Sequence, residues 1–97
     1  MNLLAASEER ADRVAEMVKA IAHPMRLRII ATLAEGTQRV NSLAAYLGAR
    51  PSAVSQQLRI LRMSGLVSPL REGGEVYYAL AEPRLRELLT CLEGCHR

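Results

Sequence analysis

The stretch RPSAVSQQLRILRMSGLV, residues 50–67, decides the fold. Its apolar residues recur at helical spacing rather than alternating as they would in a strand. At about 100° per residue, Val54, Leu58 and Leu61 fall within about 60° of one another, so one stripe of this helix must face a core. The other side carries Ser52, Ser55, Gln56 and Arg59, with Ile60 and Met63 nearby and Gln57 at the flank. Ser52 reads as the cap at the helix start. The stretch contains no Asp or Glu. An ordinary solvated face mixes both signs of charge. This one is hydrogen-bonding and purely cationic.

Immediately upstream, Asn41 or Ser42 can open a short helix with Leu43, Ala44 and Leu47 on its apolar side, and Gly48 ends it. A short helix, a glycine turn and a second helix over residues 41–64 form a helix-turn-helix pattern. Nearer the N-terminus, Ser7 can cap a helix in which Ala11, Val14, Val18 and Ile21 repeat, and His23-Pro24 stops it. Pro24 suits the first turn of the next helix, with Met25, Leu27, Ile29, Ile30 and Leu33 following and Gly36 read as its C-cap. His23, beside that start, reads as a cap or packing residue.

Downstream of Gly65 the pattern changes. Leu66, Val67 and Leu70 lead through Arg71 and Glu72-Gly73-Gly74-Glu75 to Val76-Tyr77-Tyr78-Ala79-Leu80. Two β-prone runs joined by Gly-Gly predict a hairpin with a tight turn. Pro69 restricts the first run to an edge strand. A lone hairpin is not stable, so it must pack on the helices as a wing. Pro83 then starts a last helix with Leu85, Leu88, Leu89 and Leu92 in one stripe. The expected fold is mainly α with a small β-hairpin: a winged helix-turn-helix of five helices and a two-stranded wing, one domain over residues 1–97.

Composition agrees. The chain has 97 residues with no Trp, no Phe and three Tyr, so its core must be aliphatic. A core this small is readily extended by a partner subunit, and the stripes of the first and last helices are free for a homodimer seam. The longest run without charge is Val40 to Ala49, ten residues and about half of what a bilayer requires. With no signal-peptide pattern at the start, a cytoplasmic protein with no membrane partner is expected. Two cysteines do not make a disulfide scaffold. There is no nucleophile–base arrangement, phosphate-cradling glycine loop or carboxylate pair in an apolar setting, so an enzyme is not expected.

Charge distribution points to a polyanion. The net charge is only +3, but residues 36–71 hold Arg39, Arg50, Arg59, Arg62 and Arg71 and no acid. A helix fits the major groove of double-stranded DNA, where glutamine can bond adenine twice and arginine can bond guanine. The candidate DNA-binding set is Arg50, Ser52, Ala53, Ser55, Gln56, Gln57 and Arg59 on the helix and its start, with Arg71, Gly73 and Gly74 at the wing. One domain contacts few bases, so a two-fold dimer on an inverted-repeat operator is the natural solution. The competing class is a winged-helix module for protein–protein contact. Its face would be apolar or mixed in sign, and the acid-free block favours DNA.

Three segments in order, AIAHPMRLRIIATLAEG (20–36), PSAVSQQLRILRMSGLV (51–67) and REGGEVYYAL (71–80), resemble the ArsR/SmtB family of bacterial winged-helix repressors. The resemblance covers residues 11–92. It implies a homodimer joined through its first and last helices. It also implies a repressor that leaves its operator when a metal, a metalloid or a reactive sulfur or oxygen species binds. It implies DNA contacts at Ser52, Ser55, Gln56 and Gln57, and many relatives have His where Gln57 stands.

The inducer site departs from the family's patterns. Val40, Asn41, Ser42 and Leu43 offer no thiolate pair at the start of the third helix. Arg84 stands where a zinc-binding His would be useful. Ala31 occupies the place of a second-helix cysteine. What remains is CLEGCHR, residues 91–97. At i and i+4, Cys91 and Cys95 are expected on one side of the last helix, at the edge of the Leu stripe, with His96 near the centre of that stripe if the helix runs that far. Two thiolates and an imidazole can hold Zn²⁺, and sulfurs suit As(III). Three readings stand: a metal or metalloid site at Cys91, Cys95 and His96; redox or persulfide chemistry at the thiols; or plain packing at a dimer seam.

Overall fold

A computed structural model describes residues 2–94. Ser7 begins the first long helix, its side chain accepting a hydrogen bond from the Arg10 backbone N–H at 3.1 Å. In chain order the helices are α1 (Leu3–Ala6), α2 (Glu8–Ile21), α3 (Pro24–Leu33), α4 (Val40–Leu47) and α5 (Pro51–Met63). The strands β1 (Val67–Glu72) and β2 (Glu75–Leu80) and the helix α6 (Leu85–Glu93) follow. The expected winged helix-turn-helix is present, with one further helix. That helix, α1, is a single turn held by Asn2, whose Oδ1 accepts from the Leu4 N–H at 2.8 Å. Four residues are too few to show a period, which is why the sequence pattern does not reveal it.

Several boundaries differ from the sequence reading. α5 starts at Pro51 with Arg50 at the N-cap and no side-chain cap, so Ser52 is not the cap. Proline's fixed φ preorganises it for the first helical position, and the helix therefore begins two residues earlier than a Ser52 cap would place it. α4 begins at Val40 after Arg39, ahead of Asn41 and Ser42. α3 ends at Leu33 with Ala34 at the C-cap, and Gly36 lies two residues beyond. α6 begins at Leu85 rather than at Pro83. His23 is the N-cap of α3, its Nδ1 accepting from the Met25 N–H at 3.2 Å.

One core joins these elements. Ile29, Ile30 and Leu33 from α3, Leu43, Ala44 and Leu47 from α4, and Val54, Leu58 and Leu61 from α5 are all buried. Leu66, Val67, Leu85, Leu89, Ala20 and Ile21 complete the cluster. Two glycines turn the chain tightly around it. After α4, the Ala49 N–H bonds Ala44 O at 2.9 Å while Gly48 takes φ 67°. After α5, the Leu66 N–H bonds Leu61 O at 3.0 Å and the Gly65 N–H bonds Arg62 O at 2.9 Å, with Gly65 at φ 76°. Both are Schellman closures, which need the left-handed conformation that glycine tolerates. The second places Leu66 against the end of α5 and launches the hairpin.

The hairpin is antiparallel, with Glu72 opposite Glu75 and Pro69 opposite Tyr78. Tyr78 spends both its backbone groups on Gln38, donating to Gln38 O at 2.8 Å and accepting from the Gln38 N–H at 3.1 Å. The Tyr78–Pro69 pair therefore exchanges no hydrogen bonds, and the nitrogen of Pro69 points away from the ladder. This is why a proline is tolerated there. The Gln38 bridge also ties the wing to the segment before α4. At the start of α6, Glu82 Oε2 accepts from the Arg84 N–H at 3.1 Å and its Nε at 3.0 Å. That hydrogen bonding holds the Glu82 carboxyl below the usual carboxylate range.

Leu58 is 1% exposed at the centre of this core. Leu58→Ala is expected to lower the unfolding free energy by about 2–5 kcal/mol, measured by urea denaturation. Ser55→Ala, on the opposite face, is expected to change it by less than about 0.5 kcal/mol.

Candidate nucleic-acid interface

Burying Val54, Leu58 and Leu61 turns the other side of α5 outward. Ser52, Ser55, Gln56, Arg59, Arg62 and Met63 are exposed, and Ala53 and Gln57 are half-buried. None of Arg50, Ser52, Ser55, Gln56, Arg59 or Arg71 makes a side-chain hydrogen bond within the described residues. At the helix start the backbone N–H groups of Ser52 and Ala53 have no side-chain cap, which leaves them and the positive end of the helix open to an anion. The helix therefore presents donors and cations outward, in a rod of a size that enters a major groove.

The wing stands beside it. Gly73 and Gly74, at φ 58° and 82°, form the two-residue turn, and the tip from Arg71 to Gly74 is exposed. Here the structure corrects the charge reading. The block over residues 36–71 is free of acid in sequence but not in space. Arg39 Nη1 meets Glu75 Oε2 of β2 at 3.0 Å, both side chains about half exposed. Glu72 adjoins Arg71 at the tip. Within that block, the cations without a side-chain partner among the described residues are Arg50, Arg59 and Arg62 on α5 and its start, plus Arg71, while the wing carries two carboxylates against one arginine. The attraction for phosphate resides in the helix more than in the wing.

Gln57 differs from its neighbours. Its Oε1 accepts from Arg26 Nη1 at 2.9 Å, and the Nε of the same guanidinium donates to the backbone oxygen of Ala20. Sequence reasoning did not single out Arg26. It lies 31 residues from Gln57 and outside the acid-free block, and no spacing rule connects them. Arg39, counted as a free cation in sequence, is the second such case.

Of the candidate inducer ligands, Cys91 is exposed on the last turns of α6, whereas Cys95 and His96 lie outside the described residues. Among the described residues no group of three or more His, Cys, Asp or Glu is placed to hold a metal ion. The described part of the chain thus supplies one sulfur toward a metal and no complete donor set. No helix among the described residues is long and apolar enough to cross a membrane.

A helix-turn-helix with a cationic outer helix and an adjoining two-stranded wing defines a winged-helix DNA-binding protein. A family model described as bacterial regulatory protein, arsR family, matches residues 23–68, from the α3 cap into β1. Over 89 residues the chain is 43% identical to the biofilm growth-associated repressor of Agrobacterium fabrum, covering 92% of this chain and 76% of the relative. The crystal structure of the transcriptional repressor BigR from Xylella fastidiosa superposes with a TM-score of 0.86 at 34% identity, over the whole of both chains. The solution structure of a homodimeric winged helix-turn-helix DNA-binding domain from Mycobacterium bovis matches with a TM-score of 0.77 at 32% identity, over 97% of this chain and 88% of that one. The protein belongs to the ArsR family: it is a DNA-binding transcriptional repressor and not an enzyme.

A β-carbon at Gly73 or Gly74 would meet no atom within 4 Å, so any cost of adding one is conformational. Gly73→Ala and Gly74→Ala are each expected to destabilise the wing by about 1–2 kcal/mol. Faster amide exchange along β1 and β2, with α3–α5 unchanged, is the measurement that checks it.

Proposed function

We propose that the protein acts as a homodimeric repressor on an inverted-repeat operator. Each protomer inserts α5 into one major groove through Arg50, Ser52, Ala53, Ser55, Gln56, Gln57 and Arg59. The wing, through Arg71 and the backbone at Gly73-Gly74, lies on the adjoining backbone or minor groove. The observation that carries this reading is the acid-free face of α5, on which Ser52, Ser55, Gln56 and Arg59 have no side-chain partner among the described residues, turned outward by burial of its other side.

Dimerisation through α2 and α6, with α1 alongside, is supported by an incomplete monomer. Leu3, Leu4, Val18 and Leu92 are exposed, and Val14 and Leu88 are only partly covered. Leu4, Val14, Met17, Leu85 and Leu88, together with four charged side chains from α2 and the segment before α6, line an open groove of about 470 Å³ between these helices. The accessible surface is 6929 Å². A compact monomer of this mass would expose only about 5,500 Å². The radius of gyration is 14.4 Å, where a compact chain of this length would have about 12.5 Å. Both excesses suit a subunit that shares its core. The Mycobacterium bovis neighbour is described as a homodimer.

Release from the operator is assigned to the thiols of the C-terminal segment, Cys91 and Cys95. Either of two chemistries suits them: a Zn²⁺ or As(III) ion held with His96, or oxidation or persulfidation of the sulfurs. Cys91 sits on α6, the helix whose apolar stripe feeds the proposed seam, so chemistry there acts on the relative setting of the two protomers. The alternative, sulfurs that merely pack the seam, is an outcome of the cysteine test.

Operator affinity measured against salt is expected to give a slope of log K on log[salt] steeper than about −4 per dimer. A flat response would remove the phosphate contacts from the proposal. Cys91→Ser combined with Cys95→Ser is expected to keep operator affinity and lose release by Zn²⁺, arsenite or polysulfide. Retained release would make the thiols structural.

A further inference from the structure

The strongest unused feature of the molecule is the two-point anchorage of Arg26 between α2 and α5. Arg26 and Gln57 are both half-buried, and Arg26 reaches Ala20 O through Nε and Gln57 Oε1 through Nη1. A guanidinium has only donors, so the atom of Gln57 facing it must be the oxygen. The amide orientation is thus set by chemistry. Arg26 stems from α3, which packs against α5 on its buried side. The oxygen is therefore drawn toward the core side, and the amide nitrogen is left toward the polar face of α5.

We propose that Arg26 sets the base preference of the recognition helix by holding Gln57 Oε1 toward α3, so that Gln57 turns its amino group to the groove and selects a keto base, guanine ahead of thymine, on the strand it faces. The inference rests on the DNA-contact reading of α5 given above. A glutamine that reads adenine uses both ends of its amide, donating to N7 and accepting from the N6 amino group. With the oxygen held toward Arg26, adenine keeps only N7 for the amide nitrogen, while its N6 amino group and the N4 amino group of cytosine would face a donor. Guanine presents two neighbouring acceptors, N7 and O6, and thymine presents O4. Gln56, exposed and without a side-chain partner among the described residues, keeps both ends and remains able to read adenine. The adjacent glutamines are alike in sequence and unlike in what they read. Arg26 acts here as a positioning residue, touching no DNA itself.

The test is selection of bound duplexes from a randomised pool by the full chain, comparing the natural protein with Gln57→Ala and Arg26→Ala. Gln57→Ala locates the half-site position that Gln57 reads, as the position whose preference disappears. In the natural protein that position should favour guanine or thymine over adenine by roughly tenfold. In Arg26→Ala the freed oxygen should shift that one position toward adenine and leave the others unchanged, which a merely structural role would not produce. Adenine at that position in the natural protein overturns the proposal, and this comparison stands even if Arg26→Ala fails to fold. A folded Arg26→Ala with an unchanged keto preference also overturns it, as does Gln57→Ala with no position altered. If the natural protein enriches no sequence at all, the DNA-contact reading of α5 fails and takes this inference with it. That outcome is distinct from a selected site bearing the wrong base.

Discussion

The structure depends on one constraint: the stripe of Val54, Leu58 and Leu61 must leave water. Each is 0–1% exposed. Burying an aliphatic side chain of this kind contributes about 1.5–3 kcal/mol. Three of them on one short helix outweigh any local preference that the polar face has for orientation. They pack with Ile29, Ile30 and Leu33 of α3 and Leu43, Ala44 and Leu47 of α4. Once that stripe is docked, the rotation of α5 about its own axis has no freedom left, and Ser52, Ser55, Gln56 and Arg59 face outward. The polar, cationic face of α5 is thus the geometric complement of a hydrophobic contact.

Around this helix the protein arranges charge by position as well as by number. Arg39 would add to the cationic face but is drawn to Glu75 beside the Gly73-Gly74 turn of the wing. The pair is about half exposed, so its worth to stability is small, within about 1 kcal/mol. Its larger effect is on the field that approaching phosphates meet. It subtracts one cation from the wing side and leaves the helix side as the attractive one. Together with the Gln38–Tyr78 bridge, it joins the wing to the segment entering α4, so helix-turn-helix and wing form one continuous surface.

The other side of the molecule is unfinished. α1, α2 and α6 leave leucines and valines in the open around a groove that no described residue fills. A domain of this length has little core to spare, and exposed apolar surface on this scale is a cost unless something covers it. A second copy placed there would both complete the core and carry a second α5. Stability and two-site recognition would then come from the same contact.

Much of this was legible in the sequence. The period of residues 50–67, the glycines at 48 and 65 and the Gly-Gly turn specify which segments are helix, turn and wing, because each depends on neighbours a few residues apart. The outward placement of Ser52, Ser55, Gln56 and Arg59 followed from the same period. Ser52 does not cap α5 because Pro51 takes the first helical position, a preference that is itself local to the sequence. The Arg26–Gln57 and Arg39–Glu75 contacts were not legible at all. They join residues 31 and 36 positions apart. Whether two such side chains meet is decided by how helices and strands cross once the core has closed, and no repeat along the chain encodes that crossing. The sequence alone determined which face of the recognition helix is polar. The tertiary structure decided which of its polar groups remain unengaged, because the partners that engage them arrive from distant segments.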